Sequence, residues 1–99
     1  MICGLEDTKI AKIINVLAQF EQVKKAAVFG SRATGTYKDN SDIDIVLYDD
    51  VDYKTLVRIK QQLEELPLPY FFDVKSYDAI THQPLKEHID KYAKMIYKK

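Results

Sequence analysis

Two aspartates, Asp42 and Asp44, stand one residue apart at the head of the apolar run Ile43-Asp44-Ile45-Val46-Leu47. Aspartate is a poor strand former, and two like charges on one strand face repel. In an extended chain residues i and i+2 point the same way, with Cα atoms roughly 6.5–7 Å apart. Two carboxylates so placed can converge on a hard cation. Mg²⁺ takes oxygen ligands and typically uses one or two carboxylates together with substrate phosphates. Cation binding would relieve the repulsion that the pair creates.

Ten residues separate this pair from Gly30-Ser31, which ends a short apolar run. Glycine lets a backbone approach a ligand closely. A helical turn opening at Ser31 would offer free N–H groups to a phosphate. The Ser31 hydroxyl adds a donor, and Arg32 can add a charge-assisted bond. A third acidic residue, Asp73, lies between Phe72 and Val74 in another apolar stretch. Beside the strand of Asp44 it would reach the same spot; alone it would be an edge-strand charge that discourages aggregation. Lys75 shares the Asp73 face and reads as a solvated lysine.

The elements that must position these residues follow from periodicity. Ile10, Ile13, Ile14 and Leu17 predict a helix over 8–22. Residues 25–29 predict a buried strand, and 31–37 a short helical turn between Gly30 and Gly35. Over 42–48, Ile43, Ile45 and Leu47 share one face, while Asp42, Asp44, Val46 and Tyr48 share the other. Leu56, Ile59, Leu63 and Leu66 mark a helix over 53–66 that Pro67 stops. Residues 70–77 predict a third strand. A last helix begins near Pro84, with Leu85, Ile89, Tyr92 and Ile96 as its buried stripe. The order α-β-α-β-α-β-α predicts an α/β (α+β) fold: a small mixed three-stranded sheet with helices packed mainly on one face. The aspartates would occupy the open face.

Ninety-nine residues are expected to form a single domain, 1–99. With 15 basic and 15 acidic residues there is no net charge to draw the chain to nucleic acid or to an anionic membrane. No apolar run approaches the roughly 20 residues that span a bilayer, and the N-terminus lacks a signal-peptide pattern. A cytoplasmic location is expected. The one cysteine, Cys3, reads as an inert thiol in a frayed N-terminus. His82 and His88 lack a third ligand at metal-site spacing and read as surface residues. Seven tyrosines are many for this length; Tyr92 and Tyr97 could line a partner interface.

Gly30-Ser31, Asp42-Ile43-Asp44 and Asp73 together resemble the signature of the DNA polymerase β-like nucleotidyltransferases: Gly-Ser, a spacer, Asp-x-Asp, and a third acidic residue on a later strand. More narrowly, the chain resembles the minimal nucleotidyltransferases of the MntA antitoxin type, which are little more than the catalytic core. The resemblance implies two Mg²⁺ ions held by Asp42, Asp44 and Asp73, and ATP bound on Gly30, Ser31 and Arg32. It implies transfer of AMP from ATP to a hydroxyl, in that family a tyrosine of an all-helical HEPN-domain toxin that forms a complex with it. No appended substrate domain is seen, which argues against relatives that modify antibiotics or RNA ends. The competing expectation is a nucleotide-binding module that neutralises its partner by steric cover without catalysis.

Overall fold

The computed structural model describes residues 1–99. The chain runs α1 (Asp7–Ala18), β1 (Lys25–Phe29), α2 (Ser31–Thr34), β2 (Ile43–Leu47), α3 (Tyr53–Glu64), β3 (Phe72–Ser76), a 3₁₀ turn (Tyr77–Ala79), α4 (Gln83–Tyr92) and β4 (Lys94–Lys98). The sheet order is β3-β2-β1-β4. β1 is antiparallel to both neighbours, whereas β2 and β3 are parallel. The parallel pair is joined through α3, the crossover that parallel strands require.

Strand alternation divides the side chains between two layers. Ala26, Val28, Ile43, Ile45, Leu47, Phe72 and Val74 face α1 and α3, whose Ile13, Leu17, Ile59 and Leu63 complete the main core. Ala27, Phe29 and Val46 face the other way and pack with Ile80 and Ile89. The helix α1 stops before residue 22 because the chain must turn at 19–24 to send Phe20 and Val23 into the core. Likewise, α3 ends at Glu64, leaving Leu66 partly buried against the core.

Three expectations are corrected. The sheet has four strands, not three: α4 ends at Tyr92, and Ile96 lies in β4 rather than on a helix stripe. β1 would otherwise present a row of unpaired N–H and C=O groups along its second edge. Residues 94–98 cover that edge, with Ala26 opposite Tyr97 and Val28 opposite Lys94 across a bulge. Nor is the second face open along its whole length, since α4 lays Leu85 and Ile89 over Ala27, Phe29 and Val46. The N-terminus is not frayed. Ile2 and Leu5 exchange hydrogen bonds of 3.1 and 2.8 Å, and Leu5 is fully buried.

Candidate active site

The face shared with α4 carries the acidic residues. Phe29 is opposite Asp44 across β1 and β2, and Asp44 is opposite Asp73 across β2 and β3. Phe29, Asp44 and Asp73 therefore form a row across three strands, with Asp44 in the middle and Gly30 one residue past the end of β1, against the Asp44 carboxylate. Asp42 precedes β2 by one residue and is exposed. Parallel pairing extends one step further, because the Ile43 N–H donates to the Phe71 carbonyl at 2.9 Å. That fixes Phe71, which is 74% exposed, on the same face as Asp73 and beside Asp42.

Burial pushes the Asp44 carboxyl up to about 6, reinforced by the like charges of Asp73 and Asp42 and opposed chiefly by Lys75. A half-buried carboxylate facing two others holds its proton unusually well. Lys75 Nζ lies 3.5 Å from Asp73 Oδ2, so Lys75 is drawn toward the row rather than simply solvated. Both partners are well exposed, and such a pair contributes little to stability.

Gly30 adopts φ 77°, ψ −154°, a backbone conformation open to glycine alone. A Cβ there would also collide with the Asp44 carboxylate. The close approach between backbone and carboxylate thus depends on the missing side chain. Ala33 and Thr34 donate to the Gly30 carbonyl at 3.1 and 3.2 Å, starting α2. The amides of Ser31 and Arg32, and the Ser31 hydroxyl, donate to no protein acceptor. With only four residues, α2 has little dipole; what it offers is these oriented N–H groups.

The Arg32 side chain is not part of this cradle. It is 2% exposed and its guanidinium is spent elsewhere. Nε and Nη2 donate to the Ser41 carbonyl at 3.1 and 3.0 Å, and Nη1 to the Cys3 carbonyl at 3.0 Å. The group lies between the rings of Tyr37 and Tyr70, 5.0 and 4.7 Å from their centroids. Arg32 ties the loop before Asp42 to the N-terminal turn, and only its backbone N–H faces the site.

His88 corrects the opposite way. It is not a free surface residue: its Nε2 accepts the Gly30 N–H at 2.9 Å. Nothing in the local sequence around His88 announces this contact, which spans 58 positions. His82, by contrast, is exposed.

The donor set suits Mg²⁺ in kind, being all oxygen, with Asp44 and Asp73 directly opposite on adjacent strands. No group of three His, Cys, Asp or Glu side chains is close enough to hold one ion.

Residues 11–99 match the family model described as polymerase beta, nucleotidyltransferase. A Methanocaldococcus jannaschii protein provisionally named a protein adenylyltransferase is 41% identical over 80 residues, covering 79% of this chain and 83% of the relative. Among solved structures, a toxin–antitoxin complex with AMP-PNP superposes with a TM-score of 0.73 at 23% identity, covering 96% of this chain and 75% of that one. A Shewanella oneidensis complex of a tri-AMPylated HEPN toxin with an MNT antitoxin gives a TM-score of 0.73 at 18% identity, covering 96% and 74%. No helix here is long and apolar enough to cross a membrane. The acidic row, the glycine that touches it and the family match over almost the whole chain lead to one assignment: this chain belongs to the polymerase beta-type nucleotidyltransferases.

Proposed function

We propose that the chain transfers AMP from ATP to a tyrosine hydroxyl of a helical HEPN-type toxin with which it forms a complex, and so acts as the antitoxin of a pair. The observation that carries this reading is Gly30 set against the Asp44 carboxylate, with Asp73 facing Asp44 on the next strand, which puts a backbone phosphate cradle beside two carboxylates. The adenylyltransferase name of the Methanocaldococcus relative and the AMPylated toxin in the Shewanella complex support the choice of donor and acceptor.

In this reading the Ser31 and Arg32 amides and the Ser31 hydroxyl hold the triphosphate. Asp42 and Asp44 would hold the Mg²⁺ that accompanies it, and Asp73 with Asp44 would hold a second. Bound there, Mg²⁺ would supply charge neutralisation for the attacking and leaving oxygens. The acceptor oxygen forms a bond to the α-phosphorus, the bond to the β-phosphate oxygen breaks, and pyrophosphate leaves. A tyrosine hydroxyl, with an ordinary pKa of about 10, must give up its proton. Asp73, on the edge strand β3, accepts that proton or steadies the hydroxyl that loses it.

Asp73→Asn tests this assignment. Mg·ATP affinity should stay near the wild-type value, while single-turnover transfer falls about 10²-fold or more. If affinity collapses together with rate, Asp73 is instead a principal ligand of the nucleotide-bound ion. Co-expression with a HEPN-type partner, followed by mass spectrometry, should show AMP on a partner tyrosine. A stable complex with an unmodified partner, in ATP and Mg²⁺, would establish steric cover instead.

A further inference from the structure

We infer that His88 is a positioning residue for the nucleotide site: through the Gly30 amide it fixes the backbone that presents the phosphate-binding N–H groups. The inference rests on the nucleotide reading above and adds to it a residue outside the acidic signature.

The pairing of β1 with β2 ends at Phe29–Asp44, so the Gly30 N–H has no strand partner. His88 Nε2, on α4 in a different layer of the fold, accepts it at 2.9 Å. Gly30 turns through a conformation that only glycine tolerates, and a residue without a side chain has many alternatives. One hydrogen bond to its amide selects among them. That choice sets the direction of the next two amides, Ser31 and Arg32, which have no acceptor of their own in the protein.

The imidazole is itself held. Its ring meets Phe29 edge-on at 6.5 Å between centroids and tilts against Tyr92 at 5.4 Å. Next to it, Ile89 is 1% exposed and anchors α4 on the sheet. Because Nε2 accepts, Nδ1 carries the ring proton. Neither nitrogen is left to bind a cation, so the role is orientation rather than metal ligation.

Three variants test this: His88→Ala, His88→Gln and Tyr92→Ala, each titrated calorimetrically with Mg²⁺ and a non-hydrolysable ATP analogue. Hydrogen exchange of the Gly30 amide is followed by NMR in parallel. Loss of one neutral hydrogen bond predicts about three- to tenfold weaker nucleotide binding in His88→Ala and unprotected Gly30 exchange. His88→Gln, whose side-chain carbonyl can accept the same N–H, should restore much of both. Tyr92→Ala loosens the ring's packing but keeps the bond, and should bind nucleotide as the wild type does. Equal affinity in the wild type and His88→Ala overturns the inference. So does weakening in all three variants alike, which would mean that α4 docking alone matters. If the wild type itself binds no nucleotide, both readings fall, while Gly30 protection would still report the bond.

Discussion

The two faces of this sheet are built from the same strands by opposite rules. Toward α1 and α3, the strand positions are closed and apolar from Val28 through Ile45 to Val74, with the buried, hydrogen-bonded Ser76 as the polar exception. Toward α4, the same strands alternate between packing residues and unreconciled charge: Ala27, Phe29 and Val46 are covered, while Asp44, Asp73 and Lys75 remain partly open. The first face holds the fold together. The second tolerates a carboxyl pushed up to about 6 by burial and by its neighbours' charge. Stability and chemistry are therefore separated by side-chain parity along strands only five residues long.

The sharpest break between the faces should come from Asp44→Asn. Transfer should fall by about 10²-fold or more, because in the proposed site both the cation and the triphosphate would depend on that charge. The variant should fold normally, and a transfer assay beside a circular dichroism melt checks both statements. On the other face, Leu63→Ala should cost about 2–5 kcal/mol in urea unfolding while leaving nucleotide affinity unchanged at temperatures where it is folded. Its side chain is wholly buried in the core between the helices and the opposite face of the sheet. Arg32→Ala should behave like a core mutation despite sitting next to Ser31. It strands the carbonyls of Cys3 and Ser41, at a cost of about 2–4 kcal/mol, and Arg32→Lys should not rescue it. If Arg32→Lys folds well and loses only nucleotide affinity, the guanidinium contacts phosphate after all.

Smaller still is a pH effect in the absence of divalent cations. The Asp44 pKa is higher folded, at about 6, than the ordinary value near 3.8, so the folded state binds the proton more tightly. Stability from this group is complete below the ordinary value and is lost as pH rises through about 6. After discounting for solvent screening, the gain on acidification is about 1 kcal/mol. Melting in chelator at pH 7.5 and 5 should show it, and Asp44→Asn should lack it. The least effect is expected from Phe71→Ala. That exposed ring stands on the reactive face beside Asp42, and its loss should cost about two- to fivefold in transfer to a protein acceptor, without changing ATP affinity. A change in ATP affinity would assign Phe71 to the nucleotide instead.

Much of this division was legible in the sequence, and its limits have physical causes. The alternation over 42–48 places Ile43, Ile45 and Leu47 together and Asp44 opposite them, because strand parity is a local property. The shared fate of Asp44 and Asp73 needed only two strands side by side. Residues 94–98 were misread because Leu85, Ile89, Tyr92 and Ile96 keep helical spacing, while the demand for a strand comes from the distant edge of β1. Arg32 and His88 exchanged their expected places for a similar reason. Where a long side chain ends is decided by the acceptors that the fold brings to it: carbonyls of the loop before Asp42 for one, an unpaired glycine amide for the other.

The late strand also has a bearing on how the molecule comes apart. β4 joins β1 from the opposite end of the chain, a pairing whose loop-closure entropy is repaid only after the rest of the sheet exists. Its residues are exposed or half-buried throughout, and it lies at the sheet's margin. These are the marks of a segment that opens on its own while β1, β2 and β3 stay closed. Ile89 holds α4 on the sheet, so an opening that spreads from β4 into α4 and frees Ile89 as well would carry away the imidazole that holds Gly30. The protein would then spend a small fraction of its time fully structured in its core and unable to grip a nucleotide. Its competence would be governed by the free energy of that partial opening rather than by the free energy of global unfolding.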